Sequence, residues 1–172
     1  GGDVRLSTER FRSVITKGLL STGIHVVDVG IVPTPVQYFS MHSLDVQGGI
    51  MITGSHNPPE FNGFKITLKN APVYGPDIQE IKALIDKQDF ETGTGKSEKK
   101  DVKDAYIAYI KKDIHIERPI KVVLDSGNGA ASLVAHRLFR EMGVDTIDLF
   151  DTPDGNFPNH HPDPTVVDNI CL

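Results

Sequence analysis

The 172-residue sequence is poor in cysteine, has no long apolar run and carries no excess of basic residues. Its single cysteine, Cys171, excludes an internal disulfide framework and favours a reducing compartment, so we expect a cytoplasmic protein. Because no apolar run approaches the roughly 18 residues that span a bilayer, we expect no membrane association. The 18 Lys and Arg residues are outnumbered by 23 Asp and Glu residues, which argues against binding to a nucleic-acid backbone.

The start of the sequence has neither an initiating Met nor a signal peptide, and its end does not complete a secondary-structure element. The chain begins with Gly1-Gly2-Asp3, without the charged-then-apolar pattern of a signal peptide. It ends at Ile170-Cys171-Leu172, where an apolar pattern starts rather than closes. We therefore expect a piece of a longer protein. Its 38% hydrophobic and 24% charged residues are typical of a folded chain, and its length predicts one domain or two small ones.

Apolar residues follow helical spacing in some segments and strand spacing in others. The predicted helices cover residues 8–22, 35–44, 76–87, 102–110 and 131–142. The predicted strands cover residues 24–29, 48–53, 63–68, 120–125 and 144–150. Ser7 is the predicted N-cap of the first helix and Gly23 its predicted end. This alternation predicts an α/β fold with largely parallel strand pairing.

A shift in composition divides these elements into two groups. Residues 92–101 contain no large apolar side chain and are rich in glycine and charge, which predicts a linker. We therefore expect two α/β units, the first over residues 1–95 and the second over residues 101–172.

One loop between two predicted strands concentrates chemically useful side chains. It reads Thr-Gly-Ser-His-Asn-Pro-Pro-Glu-Phe-Asn-Gly-Phe-Lys over residues 53–65. Ser55 supplies a hydroxyl that can act as a nucleophile or carry a phosphate, and His56 and Lys65 supply donors or proton carriers beside it. Gly54 permits a close approach to a ligand or a positive φ, and two prolines stiffen the loop. From these residues alone, a polar surface loop and a functional loop are equally good interpretations.

This loop resembles the phosphoserine loop of the α-D-phosphohexomutase family, in particular its bacterial phosphomannomutase/phosphoglucomutase branch. The resemblance continues, in order, along nearly the whole chain. The supporting motifs are Gly-Asp-Val-Arg-Leu-Ser at 2–7, Gly-Ile-Val-Pro-Thr-Pro at 30–35, Val-Leu-Asp-Ser-Gly-Asn-Gly at 123–129 and Asp-Gly-Asn-Phe-Pro-Asn-His-His-Pro-Asp-Pro at 154–164. It implies two consecutive three-layer α/β/α units with largely parallel mixed sheets, the second unit being incomplete.

The resemblance also implies an enzymatic activity. The family interconverts hexose 1-phosphates and hexose 6-phosphates, here of mannose, glucose or both, through a phosphoserine and a hexose 1,6-bisphosphate intermediate. Ser55 matches the phosphoserine, His56 a residue beside the phosphate, and Lys65 a general acid/base or charge stabiliser. Mg²⁺ is the implied cofactor, bound through the Ser55 phosphate and through ligands that this chain does not contain.

The sequence departs from the complete family pattern in several respects. Gly2 stands where the family usually has Arg, and an upstream Arg-containing segment is absent. The Asp-Gly-Asp metal loop, the sugar-recognition loop and the phosphate-binding loop are absent as well. We therefore expect this chain alone to be inactive as a mutase. The sequence leaves open the sugar, the oligomeric state and the phosphorylation state of Ser55.

Two other interpretations of function stay open beside the mutase. One is a non-catalytic sugar-phosphate-binding or regulatory relative that has kept the loop. The other is a phosphoglucosamine mutase, although Gly54 and Pro59 favour the phosphomannomutase/phosphoglucomutase branch.

Three weaker signals are interpreted as structural. The turn Ser126-Gly127-Asn128-Gly129 can cradle a phosphate with backbone amides, but close packing of a helix on the sheet explains it better. His160, His161 and Asp163 lack the spacing of common zinc sites. Cys171 is predicted to be a small buried apolar residue, because no catalytic motif surrounds it.

Overall fold

The computed structural model describes residues 1–69 and 71–170, which form an α/β structure. The helices are α1 (Thr8–Ser21), α2 (Thr34–Ser43), α3 (Pro76–Lys87), α4 (Lys103–Asp113) and α5 (Ala135–Glu141). The strands are β1 (Val26–Asp28), β2 (Gly48–Ile52), β3 (Phe64–Leu68), β4 (Ala71–Pro72), β5 (Ser97–Lys99), β6 (Lys121–Asp125) and β7 (Asp145–Leu149). Two short 3₁₀ helices cover Ala130–Leu133 and Val167–Ile170. Cys171 lies outside the described residues, so its predicted burial stays a prediction.

Within residues 1–69 and 71–170, the strands pair in three small sheets. β1 pairs with β5 and β6 pairs with β7, both in parallel, whereas β2, β3 and β4 form an antiparallel sheet. The α/β class and the parallel pairing are therefore confirmed, with an antiparallel hairpin of β2 and β3 added to them. This hairpin matters for function because residues 53–63, which join its two strands, form most of the serine loop (residues 53–65).

Helix α1 begins where the sequence predicts, but without the predicted cap. Ser7 has helical φ and ψ and makes no side-chain capping hydrogen bond. Its hydroxyl instead accepts a hydrogen bond from the side-chain amide of Asn62, at 2.9 Å. The predicted end is confirmed, because Gly23 follows the helix with a positive φ of 88°.

The predicted linker contains a strand. Backbone groups of β5 pair with β1, and the Gly93 amide donates to the carbonyl of Ser21 at 2.8 Å. Most side chains of residues 92–101 are exposed, as their composition predicts, but the backbone is held by hydrogen bonds at the edge of the first unit. The composition does not indicate this strand, because backbone pairing does not require apolar side chains. A linker between two units at residues 92–101 stays a prediction.

Residues 131–142 form two short helices instead of the single predicted one. A 3₁₀ helix ends at Leu133, and α5 begins at Ala135. Val134 between them leaves the helical region, with φ of −141° and ψ of −33°, and its side chain is buried. Burial of this β-branched residue accompanies the break in the helical pattern.

One buried apolar cluster joins the two halves of the chain. Val29, Val32 and Val36 come from the first half, and Val102 and Val134 from the second. The expected units therefore share part of their core. No helix within residues 1–69 and 71–170 is long and apolar enough to cross a membrane.

Candidate functional site

A cleft of about 640 Å³ lies where the serine loop faces the second half of the chain. The first half contributes polar and charged side chains to its lining, among them Asp3, Ser55, His56 and Lys65. The second half contributes the end of β6 and the loop after β7, including Asp125, Ser126, Gly127, Phe157 and His160. All three predicted catalytic residues therefore line one cleft.

Ser55 is presented by the connection between β2 and β3. The Thr53 amide donates to the Gly63 carbonyl at 2.9 Å, which extends the hairpin by one pair beyond β2. Beyond this pair the chain turns away from the sheet, and Ser55, His56 and Asn57 are exposed. This position leaves the Ser55 hydroxyl open to a ligand in the cleft.

Ser55 has a backbone conformation that is uncommon for a residue with a side chain. Its φ is 54°, in the left-handed region. Its amide donates to the Thr53 hydroxyl at 2.9 Å, and that hydroxyl donates to the Asp3 carboxylate at 2.7 Å. Strained backbone of this kind persists only where surrounding contacts determine it, and it clusters at functional sites.

The arginine that supports this loop, Arg5, is not among the site residues that the sequence predicts. The Arg5 guanidinium packs against the loop and donates hydrogen bonds to four of its backbone carbonyls, between residues 55 and 61. Its partners lie about 50 positions away in sequence, so no local pattern could have indicated the contact. The only signal was the short Gly-Asp-Val-Arg-Leu-Ser segment that contains Arg5.

Of the two predicted roles of Gly54, the positive φ is wrong, and the close approach to a ligand stays a prediction. A Cβ atom at this position would lie 2.5 Å from Cζ of Arg5 and 2.6 Å from the Phe61 carbonyl oxygen. Glycine is therefore required for the packing of Arg5. The positive φ of the loop occurs at the next residue, Ser55.

Lys65 and His56 approach the cleft from different places. Lys65 lies on β3, where it pairs with Met51 of β2, and its side chain is exposed. His56 follows Ser55 directly and is also exposed. A cation on a strand beside a hydroxyl that can carry a phosphate is an arrangement suited to phosphoryl transfer, which depends on alignment and charge stabilisation.

In the glycine-rich turn after β6, the backbone amides of residues 127–129 already donate hydrogen bonds within the chain and are not available to a phosphate. The Gly127 amide donates to the Asp125 carboxylate at 2.8 Å, and the Asn128 amide donates to the Phe150 carbonyl at 2.8 Å. The Gly129 amide donates to the Ser126 carbonyl at 2.7 Å. These amides bind groups within the chain, so the packing interpretation of the turn is the better one.

His160 on the opposite side of the cleft is placed between two acceptors. Its Nδ1 lies 2.9 Å from the His161 carbonyl oxygen, and its Nε2 lies 3.1 Å from the Asp125 carboxylate. These hydrogen bonds, first that to the His161 carbonyl, raise the pKa of His160 above its ordinary value.

The residues described here do not by themselves form a magnesium site. No group of three or more metal-ligating side chains occurs within residues 1–69 and 71–170. Of the carboxylates in the cleft, Asp3 accepts hydrogen bonds from Arg5, Thr8 and Thr53. Asp125 is bound to Gly127 and His160.

Two family models match the chain. "Phosphoglucomutase/phosphomannomutase, alpha/beta/alpha domain I" matches residues 1–92, and the corresponding domain II model matches residues 104–171. Both descriptions agree with the predicted α/β/α architecture. The division into units at 1–95 and 101–172 stays a prediction.

Relatives that are named as mutases of this family align with nearly the whole chain. A phosphomannomutase/phosphoglucomutase of Pseudomonas aeruginosa is 42% identical over 170 residues, and a phosphoglucomutase of Neisseria gonorrhoeae is 41% identical over 172 residues. Each alignment covers 99% of this chain but only 37% of the relative. A crystal structure of a phosphoglucomutase/phosphomannomutase family protein from Burkholderia thailandensis is 45% identical, with a TM-score of 0.93 over 98% of this chain and 39% of that one.

Proposed function

Because this chain belongs to the phosphoglucomutase/phosphomannomutase family, we propose that the protein containing it interconverts hexose 1-phosphates and hexose 6-phosphates through a phosphoserine at Ser55. The observation that carries this proposal is the placement of Ser55. Its exposed side chain lies at the edge of a cleft that also contains Lys65 and His56, on a loop fixed by internal hydrogen bonds. The chain spans 37% of the length of the curated relatives, so the activity is proposed for the whole protein.

The proposed reaction moves two phosphoryl groups in turn. The bond between phosphorus and Oγ of Ser55 breaks as a bond forms to the free hydroxyl of the bound sugar phosphate, whose proton passes to a base. The bond between the second phosphorus and its sugar oxygen then breaks as a bond forms to Oγ of Ser55, that sugar oxygen takes a proton back from an acid, and the product sugar phosphate leaves. We assign Lys65 to proton transfer or charge stabilisation at the transferring group, and His56 to contact with the phosphate.

Family membership also supports Mg²⁺ as the cofactor and a hexose 1,6-bisphosphate as the activator. The serine phosphate offers Mg²⁺ the oxygen ligands that it prefers. We expect the remaining ligands to come from outside residues 1–172. A cytoplasmic location, inferred from the single cysteine, stays part of the proposal.

Steady-state kinetics of the whole protein test the proposal. Ser55→Ala removes the nucleophile and should abolish mutase turnover. Lys65→Ala should leave Ser55 able to hold phosphate but slow its transfer about 10²–10⁴-fold, the typical value of a positioned proton carrier. Ser13→Ala and Lys17→Ala, at exposed positions on α1, are the matched controls and should retain wild-type turnover.

Near-normal turnover in Ser55→Ala would contradict the phosphoserine mechanism. Sugar-phosphate binding by a wild-type protein without turnover would favour the alternative of a non-catalytic relative.

A further inference from the structure

The Arg5 side chain is buried, with 0% of its surface exposed. A guanidinium has five N–H donors in a fixed planar arrangement. In this structure each of them has an acceptor. Nε donates to the Asp3 carboxylate at 3.1 Å, Nη1 to the carbonyls of Pro58 and Phe61 at 2.5 and 3.0 Å, and Nη2 to the carbonyls of Ser55 and Asn57 at 3.0 and 2.6 Å.

Four of these acceptors belong to the backbone of the serine loop. The bonded carbonyls lie at residues 55, 57, 58 and 61, so the loop is wrapped around a single cation. One of them is the carbonyl of Ser55 itself, next to the strained φ of this residue. Because the left-handed conformation is unfavourable for serine, contacts of this kind are needed to maintain it.

Two neighbouring residues, Asp3 and Gly54, also determine the position of the Arg5 side chain. Asp3 accepts from both the backbone amide and Nε of Arg5, which orients the side chain from its own segment. The absence of a Cβ at Gly54 provides the space that the guanidinium occupies.

The second half of the chain also contacts Arg5. The ring centroid of Phe157 lies 5.3 Å from Cζ of Arg5, within the range of a cation–π contact. Phe157 has a φ of 51°, which is uncommon for a bulky residue. Its neighbour Gly155 lies so close to residues 4–6 that a Cβ would be 2.4 Å from the Val4 carbonyl oxygen. The loop after β7 is therefore fitted against the segment that carries Arg5.

We propose that Arg5 is a positioning residue for Ser55, holding the serine loop in its reactive conformation through four backbone carbonyls while Phe157 covers the guanidinium. This inference rests on the proposed function for its catalytic consequence. Its structural part concerns only the conformation of residues 54–62. A lysine cannot replace Arg5 in this role, because an ammonium group has three donors and no planar fork.

The test compares Arg5→Lys with wild type in the whole protein. We expect amides of residues 54–62 to exchange hydrogen about tenfold faster or more, because charge-assisted hydrogen bonds to the loop are lost. We expect kcat to fall about 100-fold with KM nearly unchanged, since misplacement of the nucleophile slows the chemical step more than binding. Arg10→Lys is the matched control, because Arg10 is an exposed arginine that also lies over an aromatic ring, that of Phe11.

Phe157→Leu provides a second variant if Arg5→Lys folds poorly. It retains the acceptors of all five guanidinium hydrogen bonds of Arg5 and removes only the aromatic cover. We expect changes in the same direction, smaller than those of Arg5→Lys, in both loop exchange and kcat.

Three results would overturn the proposal. One is unchanged loop exchange in Arg5→Lys, and another is faster loop exchange with a normal kcat. The third is equal acceleration of exchange in the loop and in β2 and β3, which would show a general structural role. If the wild-type protein lacks mutase turnover, the proposed function fails by itself, and loop exchange alone then decides whether Arg5 holds the loop.

Discussion

His160 lies between two hydrogen-bond acceptors that favour the protonated form of its ring. Both ring nitrogens face acceptors, the carbonyl of His161 and the carboxylate of Asp125, and only the doubly protonated ring can donate to both. Its ring also lies edge-on to Phe150, at 5.4 Å between centroids. This arrangement raises the pKa of His160 and so favours a positive charge on the side of the cleft that the second half of the chain forms.

This arrangement predicts a pH-dependent contribution to stability. A group whose pKa is raised by folding stabilises the protein fully below its unfolded pKa, and this stabilisation is lost as pH rises through the folded pKa. The difference in unfolding free energy between wild type and His160→Gln should therefore be largest at about pH 5 and shrink towards about pH 8. Urea denaturation across this range measures it, with exposed His115→Gln as the control for loss of a histidine. A difference that grows with pH would contradict the assignment.

The functional role of a residue can be predicted from the sequence when the groups it acts with are close to it in sequence. The serine loop was predicted because all its chemical groups lie within 13 consecutive positions, 53–65. Arg5 was not predicted, since its role depends on contacts with residues 50 or more positions away. Gly54 was singled out correctly but for another reason, because its neighbour Arg5 could not be foreseen.

At the scale of elements, strand β5 shows how backbone pairing can organise a polar segment. Its residues Ser97–Lys99 are all exposed, so it carries no apolar pattern from which a strand could be predicted. Its position depends instead on close backbone contacts. A Cβ at Gly95 would lie 2.0 Å from the Ile24 carbonyl oxygen.

Two glycine-to-alanine substitutions should change the free energy of unfolding in opposite directions. Gly95→Ala tests the attachment of β5, and Gly18→Ala provides the comparison. Gly95→Ala should lower the free energy of unfolding by about 1–3 kcal/mol, the usual cost of forcing atoms into a packed site. Gly18→Ala should raise it by about 0.5–1 kcal/mol, because Gly18 lies within α1 with no atom within 4 Å of the added methyl group. Thermal or urea denaturation of both variants provides the comparison. A neutral Gly95→Ala would mean that β5 is only loosely attached to the first unit.

Elements with strong local signals were predicted well. The bounds of α3, Pro76–Lys87, agree with the prediction because a proline near its start and a regular apolar spacing mark the helix. The predicted apolar face of α3 is nevertheless largely exposed, with Ile85 at 55%. Local pattern therefore indicated the helix but not its packing, which depends on contacts distant in sequence.

At the scale of the whole molecule, the two α/β halves are joined by their shared valine cluster and by the loop after β7. Val134 of the second half is buried against Val29, Val32 and Val36 of the first. Composition predicted the two halves, but their contact could not be foreseen, because it joins residues about 100 positions apart.

Because the two halves share this core, a cavity made in the second half should also lower the stability of the first half. Val134→Ala should lower the free energy of unfolding by about 1–3 kcal/mol through the cavity it leaves. Hydrogen exchange should accelerate in β2 and β3 of the first half as well as in β6 and β7 of the second. Acceleration confined to the second half would show that the two units unfold independently. Val123→Ala, at an exposed position on β6, is the control.

In the proposed reaction, Ser55 carries the phosphoryl group. The most direct test of this role is the mass of the intact whole protein after incubation with glucose 1,6-bisphosphate, followed by fragmentation to locate any modification. We expect the addition of one phosphoryl group, located at Ser55 and absent from Ser55→Ala. A phosphoryl group located at another residue, or equal labelling of wild type and Ser55→Ala, would contradict it.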